Sequence, residues 1–433
     1  MSDNKYWHSF SELTDNERLQ KLTKDEFGEE LPFGDFDDKG LLDAKTPRRD
    51  FLKYLGFSTA AATLAASCKQ PVRRAIPYVN KPENIIPGVA KYYATTFVQD
   101  GEVVPVLAKV RDGRPIKIEG NSLSSLTKGG TSARVQASVL DLYDTHRLTH
   151  PKRNKGNGTF DEIPTFEQVD TQIANALANL GSGSVVLLTS TIVSPSTRQL
   201  ITEFLGKYPG SRHVQYDAIS YSGLLQANGG RIPAYQFDKA KVIVSLGADF
   251  LGTWLNPVEN AKNYAVGRKI NEAAPTMSKH YQFESYLSLT GSNADERYTH
   301  RPSETGAVAL ALLAAVGGAA TAPSIADAKL TKGIQKAAAD LKAAGGAGVV
   351  VSGSNDPNVQ AVVAAINAAI GANGNTINTA TTATFKQGID ADMAALVTAM
   401  EGGQVGALLI CDANPVYDYF DAARFANAMK KVK

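Results

Sequence analysis

The residues able to do chemistry are few and widely spaced. Cysteine occurs twice in 433 residues, at Cys68 and Cys411. An iron-sulfur cubane or a zinc ribbon needs more thiolates than that, so this chain alone builds neither. The six histidines, His8, His146, His150, His213, His280 and His300, are scattered. His146 and His150 share the i, i+4 spacing of a helical metal pair, but Pro151 follows and the segment reads as a turn, so no metal site is expected. There is no Walker loop, no G-x-G-x-x-G after a strand, no H-E-x-x-H and no G-x-S-x-G. What remains is a set of small and acidic residues closing short apolar runs: Gly247-Ala248-Asp249, Ser352-Gly353, and Asp412 with Asn414. In a parallel sheet a ligand crevice lies beyond the carboxyl ends of the strands, so these residues would rim any site.

A second group of residues carries an address. Residues 1–47 form a polar leader punctuated by acids. Residues 48–68 then place Arg48 and Arg49 before Asp50, Phe51, Leu52 and Lys53, ahead of a short Ala-rich apolar stretch. This pattern reads as a twin-arginine (Tat) signal, the mark read by the translocase of folded proteins. Leu64-Ala65-Ala66-Ser67-Cys68 follows and is similar to a lipoprotein processing box, with Ala65 where Leu is usual. Cys68 is therefore the expected lipidation site, with simple cleavage or an uncut signal as the alternative. The mature chain would sit on the periplasmic face of the inner membrane. With Cys68 acylated, Cys411 has no partner, and no intrachain disulfide is expected.

The elements that must position these residues follow from composition and pattern. Lys plus Arg number 45 against 43 for Asp plus Glu, a net charge of +2 that lacks the footprint of a nucleic-acid partner. No apolar run reaches the ~20 residues of a spanning helix. Residues 69–90 hold four prolines and read as an extended strap. Residues 91–150 form a small β-rich domain, with Asp112-Gly113 as a hairpin turn. From residue 165 the rhythm becomes α/β. Phe166, Val169, Ile173, Ala176 and Leu177 share a helical face, and apolar runs at 185–188, 242–246, 348–352 and 407–411 alternate with helical stretches such as 197–208, 306–315 and 359–370. Parallel sheets are predicted.

Several segments resemble the molybdopterin oxidoreductase superfamily, and more closely its degenerate branch, the TAT-variant-translocated proteins similar to the B subunit of bacterial alternative complex III. They include Arg48-Arg49-Asp50-Phe51-Leu52, Ala75-Ile76-Pro77-Tyr78-Val79, Gly113-Arg114-Pro115-Ile116, Leu289-Thr290-Gly291-Ser292-Asn293-Ala294-Asp295 and Ala413-Asn414-Pro415-Val416-Tyr417. The resemblance implies a small N-terminal unit and two Rossmann-like domains. One is discontinuous, built from residues 151–230 and 346–433, and the other, 231–345, is inserted. It also implies that Gly247, Asp249, Asn414 and Pro415 are vestiges of dinucleotide-binding loops.

The departures set the functional expectation. Residues 92–134 lack the cluster cysteines of active members, and Gln282-Phe283-Glu284-Ser285 stands where an Asp-Pro-Arg element would be expected. The resemblance then implies a non-catalytic scaffold of a membrane-attached quinol oxidoreductase, binding no cofactor itself. Its partners would be integral-membrane quinol-binding subunits and cytochrome c subunits. The end at Lys433 reads as a truncation, with iron-sulfur clusters expected only in a missing C-terminal half. The alternative is a genuine molybdenum-bis-pterin guanine dinucleotide enzyme without an N-terminal iron-sulfur cluster. A blander reading is a surface lipoprotein that binds a small ligand in the sheet crevice.

Overall fold

Alternation of buried and half-buried residues along Glu102–Arg111 is what a strand covered on one face must show. In the computed structural model this strand, β2, pairs antiparallel with β1 (Lys91–Gln99) and β3 (Arg114–Gly120). The structure describes residues 88–432 apart from 100–101, 157, 181–183, 271 and 273–274, together with residues 83 and 86. The leader, the twin-arginine pair, Cys68 and most of the proline strap lie outside the described residues. The expected hairpin turn is present, with Asp112 and Gly113 at φ 49° and 77°, the left-handed pair that matches strand twist. Val104, Val106 and Ile118 pack on Val135 of α1 (Ala133–Ala137) and on Val258. A short antiparallel pair, β4 (Lys152–Asn154) and β5 (Phe160–Glu162), leads into the α/β region.

Thr165 caps α2 (Phe166–Ala178), as the periodicity predicts. Its apolar stripe, however, is not covered by described residues, since Phe166 is 73% and Ile173 45% exposed. Then come β6 (Ser184–Thr189), α3 (Pro195–Leu205) and β7 (Arg212–Gln215). After α4 (Ser222–Ala227) and β8 (Ile232–Tyr235) the chain enters a second sheet at β9 (Val242–Leu246). It continues through α5 (Pro257–Arg268), β10 (Lys279–Glu284), α6 (Leu289–Ser292), β11 (Glu296–Thr299), α7 (Thr305–Val316), α8 (Ala328–Ala344), β12 (Gly348–Ser352) and α9 (Pro357–Ala369). The strand β13 (Ile377–Ala383) returns to pair with β8. Last are α10 (Asp390–Glu401), β14 (Val405–Cys411), α11 (Pro415–Asp418) and α12 (Ala422–Met429).

The first sheet has the order β14-β6-β7 and the second β11-β10-β9-β12, all pairs parallel. Every residue of β9 and of the edge strand β12 is buried, as parallel strands covered on both faces require. The expected domain boundary therefore moves. The sequence reading starts the return to the first α/β domain at residue 346, but Gly348–Ser352 pairs with β9 instead. β9 has an edge on each side to satisfy, and β12 fills the one opposite β10. The core of the second sheet runs from Tyr221 to Ile377. The first sheet packs Val186, Leu188 and Val214 against Met393, Leu396, Val397 and Met400 of α10. Each such side chain, fully buried, contributes about 1.5–3 kcal/mol relative to exposure.

Candidate functional site

In each sheet the crevice at the switch in strand order lies beyond the carboxyl ends, between β9 and β12 in one and between β6 and β14 in the other. At the end of β9, Gly247 turns with φ 70° and donates its N–H to the Phe283 carbonyl at 2.8 Å. Across the switch, Gly353 donates to the Leu246 carbonyl at 3.0 Å, and a Cβ there would overlap the Gly247 carbonyl. The two strand ends thus meet backbone to backbone. Gly223 of α4 lies as closely on Asn355, which bonds the Gly223 N–H at 2.9 Å.

Asp249 faces its own chain. Its Oδ1 accepts from Thr290 N at 2.9 Å and Thr290 Oγ1 at 2.7 Å, tying the β9 loop to α6. The N–H groups of Gly252, Thr253 and Trp254 are all turned onto the Asp249 carbonyl. A pyrophosphate is held by N–H groups free to point at it, usually at a helix N-terminus. This loop instead directs three of its N–H groups inward and sets a carboxylate beside them.

β10 carries a polar ladder inside the sheet. His280, Gln282 and Glu284 sit at period two on one face, all at most 2% exposed. Gln282 donates Nε2 to Glu284 at 3.0 Å, so its Oε1 faces His280 Nε2 at 3.2 Å and receives that proton. Glu284 also accepts from Ser288 Oγ at 2.6 Å and Arg297 Nε at 2.5 Å. Burial works against the Glu284 charge, yet Arg297, Ser288 and Gln282 together hold its carboxyl below the ordinary range. Burial holds the His280 imidazole down to about 4. Phe250 packs on His280 with ring centroids 5.3 Å apart. A Cβ at Gly291 would overlap the Glu284 carboxylate, so α6 is seated against it.

The first sheet's rim is likewise occupied by its own chain. Asp217 accepts from Thr191 Oγ1 at 2.6 Å and from Gly388 N at 2.8 Å, while Gln387 N donates to Thr191 Oγ1 at 2.6 Å. The segment crossing between the sheets therefore lies over the ends of β6 and β7. Asn414 is exposed and holds α11 through its carbonyl, which accepts from Tyr417 N at 2.8 Å and Asp418 N at 3.0 Å. Pro415, buried, opens that helix. Gly247 and Asp249 thus stand on the second sheet and Asn414 and Pro415 on the first, with no hydrogen bond joining the pairs among the described residues. Cys411 is exposed at the end of β14. Among the described residues no three His, Cys, Asp or Glu side chains gather into a metal-holding group.

A further groove of about 720 Å³ opens at the ends of β10 and β11, lined by Ser285, His300, Arg301, Glu304 and Asp327 among others. His300 bonds the Arg301 carbonyl through Nδ1 at 2.8 Å, and its Nε2 is buried without a partner. Sequence reasoning missed this groove, and it missed Thr290, Ser288, Arg297, Thr191 and Asp217 as partners. One signal was available: three polar residues at period two within a strand otherwise marked for burial.

The parallel α/β sheets are consistent with a molybdopterin-oxidoreductase-like fold, and the chain's relatives lie in that class. It is 24% identical over 288 residues, 64% of its length, to the "menaquinone reductase, molybdopterin-binding-like subunit" of Nitratidesulfovibrio vulgaris. It is 32% identical over 127 residues, 29% of its length, to a periplasmic nitrate reductase of Desulfovibrio desulfuricans. The matches span 41% of the first relative's length and 15% of the second's. No family model matches the chain. A solved chain of the formyltransferase/hydrolase complex of Methylorubrum extorquens overlaps 64% of this chain and 64% of its own, at 14% identity and a TM-score of 0.33, too loosely to define a shared fold. Among the described residues no helix is long and apolar enough to cross a membrane.

Proposed function

We propose that this chain is a non-catalytic, molybdopterin-oxidoreductase-like platform within a membrane-attached respiratory complex that reacts with quinones, of the alternative complex III kind. The observation that carries the reading is the commitment of the strand-end polar groups: Asp249, Glu284 and Asp217 are each bonded to two or more donors of their own chain. Two cysteines in the whole sequence support it. So does similarity to a relative whose name marks it as a subunit and as molybdopterin-binding-like. In this reading the chain holds neither molybdenum nor iron, and electrons pass through iron-sulfur and cytochrome partners. Export through Arg48 and Arg49 and a lipid anchor on Cys68 would keep it at the periplasmic membrane face.

A second reading, a molybdopterin-dependent reductase, is favoured by the identity to periplasmic nitrate reductase. Purified full-length protein, supplied with reduced viologen and with nitrate or an N-oxide, separates the two. The platform reading expects no turnover by the chain alone and co-purification with membrane and cytochrome subunits. Steady turnover would end it.

A further inference from the structure

The three-stranded sheet β1-β2-β3 contributes only one of its faces to a core. Residues paired across strands share a face, so the register puts Val104, Val106 and Ile118 on the side packed against Val135 and Val258. The opposite side carries Arg111 beside Arg114 at the hairpin turn, then Tyr92 in one row with Lys109 and Lys117. Beyond that row lies an apolar stretch that includes Leu107 and Val98. None of these residues belongs to a described hydrophobic core, and Tyr92 and Val98 are 50% and 52% exposed.

Charge on this face is unbalanced. Lys117 pairs with Glu119 at 3.3 Å, and Arg111 lies 3.8 Å from Asp112 in the turn. Lys109 and Arg114 have no carboxylate partner among the described residues, and Lys109 Nζ lies over the Tyr92 ring, 5.5 Å from its centre. Cations around an exposed tyrosine, next to aliphatic side chains, match the chemistry of a bilayer interface. There a Tyr ring settles at headgroup level, aliphatic groups enter the acyl boundary and Lys and Arg meet anionic headgroups. No residue of this face lines a main groove among the described residues, so it offers breadth rather than a pocket for an anchoring protein side chain. In sequence, β1 is also the first described element after Cys68, the expected lipidation site.

We propose that this open sheet face docks on an anionic lipid bilayer. Lys109, Arg111, Arg114 and Lys117 meet the headgroups, and Tyr92, Leu107 and Val98 lie against the lipid. The platform reading calls for membrane attachment but names no surface for it. A catalytic chain could dock in the same way, so the failure of either idea leaves the other standing.

The test sediments the full-length chain, carrying Cys68→Ser so that no acyl chain takes part, with vesicles of phosphatidylcholine and phosphatidylglycerol. Binding is expected to these vesicles, to weaken as salt is raised, and to be absent with phosphatidylcholine alone. A cation near an anionic surface contributes about fivefold to binding, so Lys109→Gln with Arg114→Gln should weaken it about 30-fold. Arg111→Gln with Arg114→Gln serves as the charge variant if the first pair proves unstable. Val98→Ser, uncharged, should weaken binding several-fold, which a purely coulombic attraction would not show. The proposal is overturned if phosphatidylcholine vesicles bind equally well, or if Lys329→Gln with Lys332→Gln, exposed on α8, weakens binding as much as the sheet pair. Attachment to native inner-membrane vesicles without attachment to pure lipid would also overturn it, in favour of a protein partner.

Discussion

Glu284→Gln removes the charge at the centre of the β10 ladder. The carboxylate is 2% exposed and accepts from Arg297, Ser288 and Gln282 at 2.5, 2.6 and 3.0 Å. Breaking a buried ion pair by removing one partner costs about 3–5 kcal/mol, and a hydrogen bond to a charged group contributes about 1.5–3 kcal/mol. The Arg297 side chain is 29% exposed, so water recovers part of its loss. The expected destabilisation is about 2–3 kcal/mol. Trp254, buried beside Tyr235, reports on the second sheet, and the other tryptophan is Trp7 in the leader. With a slope of about 2 kcal/mol per molar urea, the fluorescence midpoint falls by roughly 1–1.5 M.

The sign of the pH dependence follows from the lowered carboxyl. The folded value lies below the ordinary 4.5, so the stabilisation is full above that value and is lost as pH falls through the folded one. The Gln variant should flatten that part of the acid limb. A variant as stable as the parent would refute the reasoning, because the carboxylate would then be free of structural duty.

Three further outcomes are expected. His280 is held at about 4 when folded against an ordinary 6.5, so its contribution is full above 6.5 and about 3 kcal/mol is lost as pH falls towards 4. His280→Gln should remove that slope from pH-dependent urea titrations. Gly353→Ala forces a Cβ against the Gly247 carbonyl and should cost about 1–3 kcal/mol, read as a lower thermal midpoint. Gly113→Val, at φ 77°, should cost about 1–2 kcal/mol, with the loss seen as faster amide exchange in β2 and β3.

Much of the fold was legible because its signals are local. Asp112-Gly113 demanded a hairpin, and the apolar periods gave α2, α7, α9 and the parallel strands β6, β9, β12 and β14 within a few residues, but not β7, β10 or β11. Pairing was not legible. Val349-Val350-Val351 would suit either sheet, and only the unfilled edge of β9 decides between them. Likewise Gln282-Phe283-Glu284-Ser285 read as the loss of a cofactor element. The structure gives it a positive role, with Glu284 bonded to Arg297 thirteen positions further along and to Ser288 at the cap of α6. Asp217 and Gly388 meet across 171 positions of sequence, beyond any local pattern. The address carried by Arg48, Arg49, Phe51, Leu52 and Cys68 lies outside the described residues and rests on its sequence pattern.

Elemental analysis of the purified full-length chain for molybdenum and iron, with acid release of any bound guanine nucleotide, tests the central claim most directly. The expected result is far less than one molybdenum or iron per chain and no released nucleotide. Stoichiometric molybdenum accompanied by guanine nucleotide would contradict it.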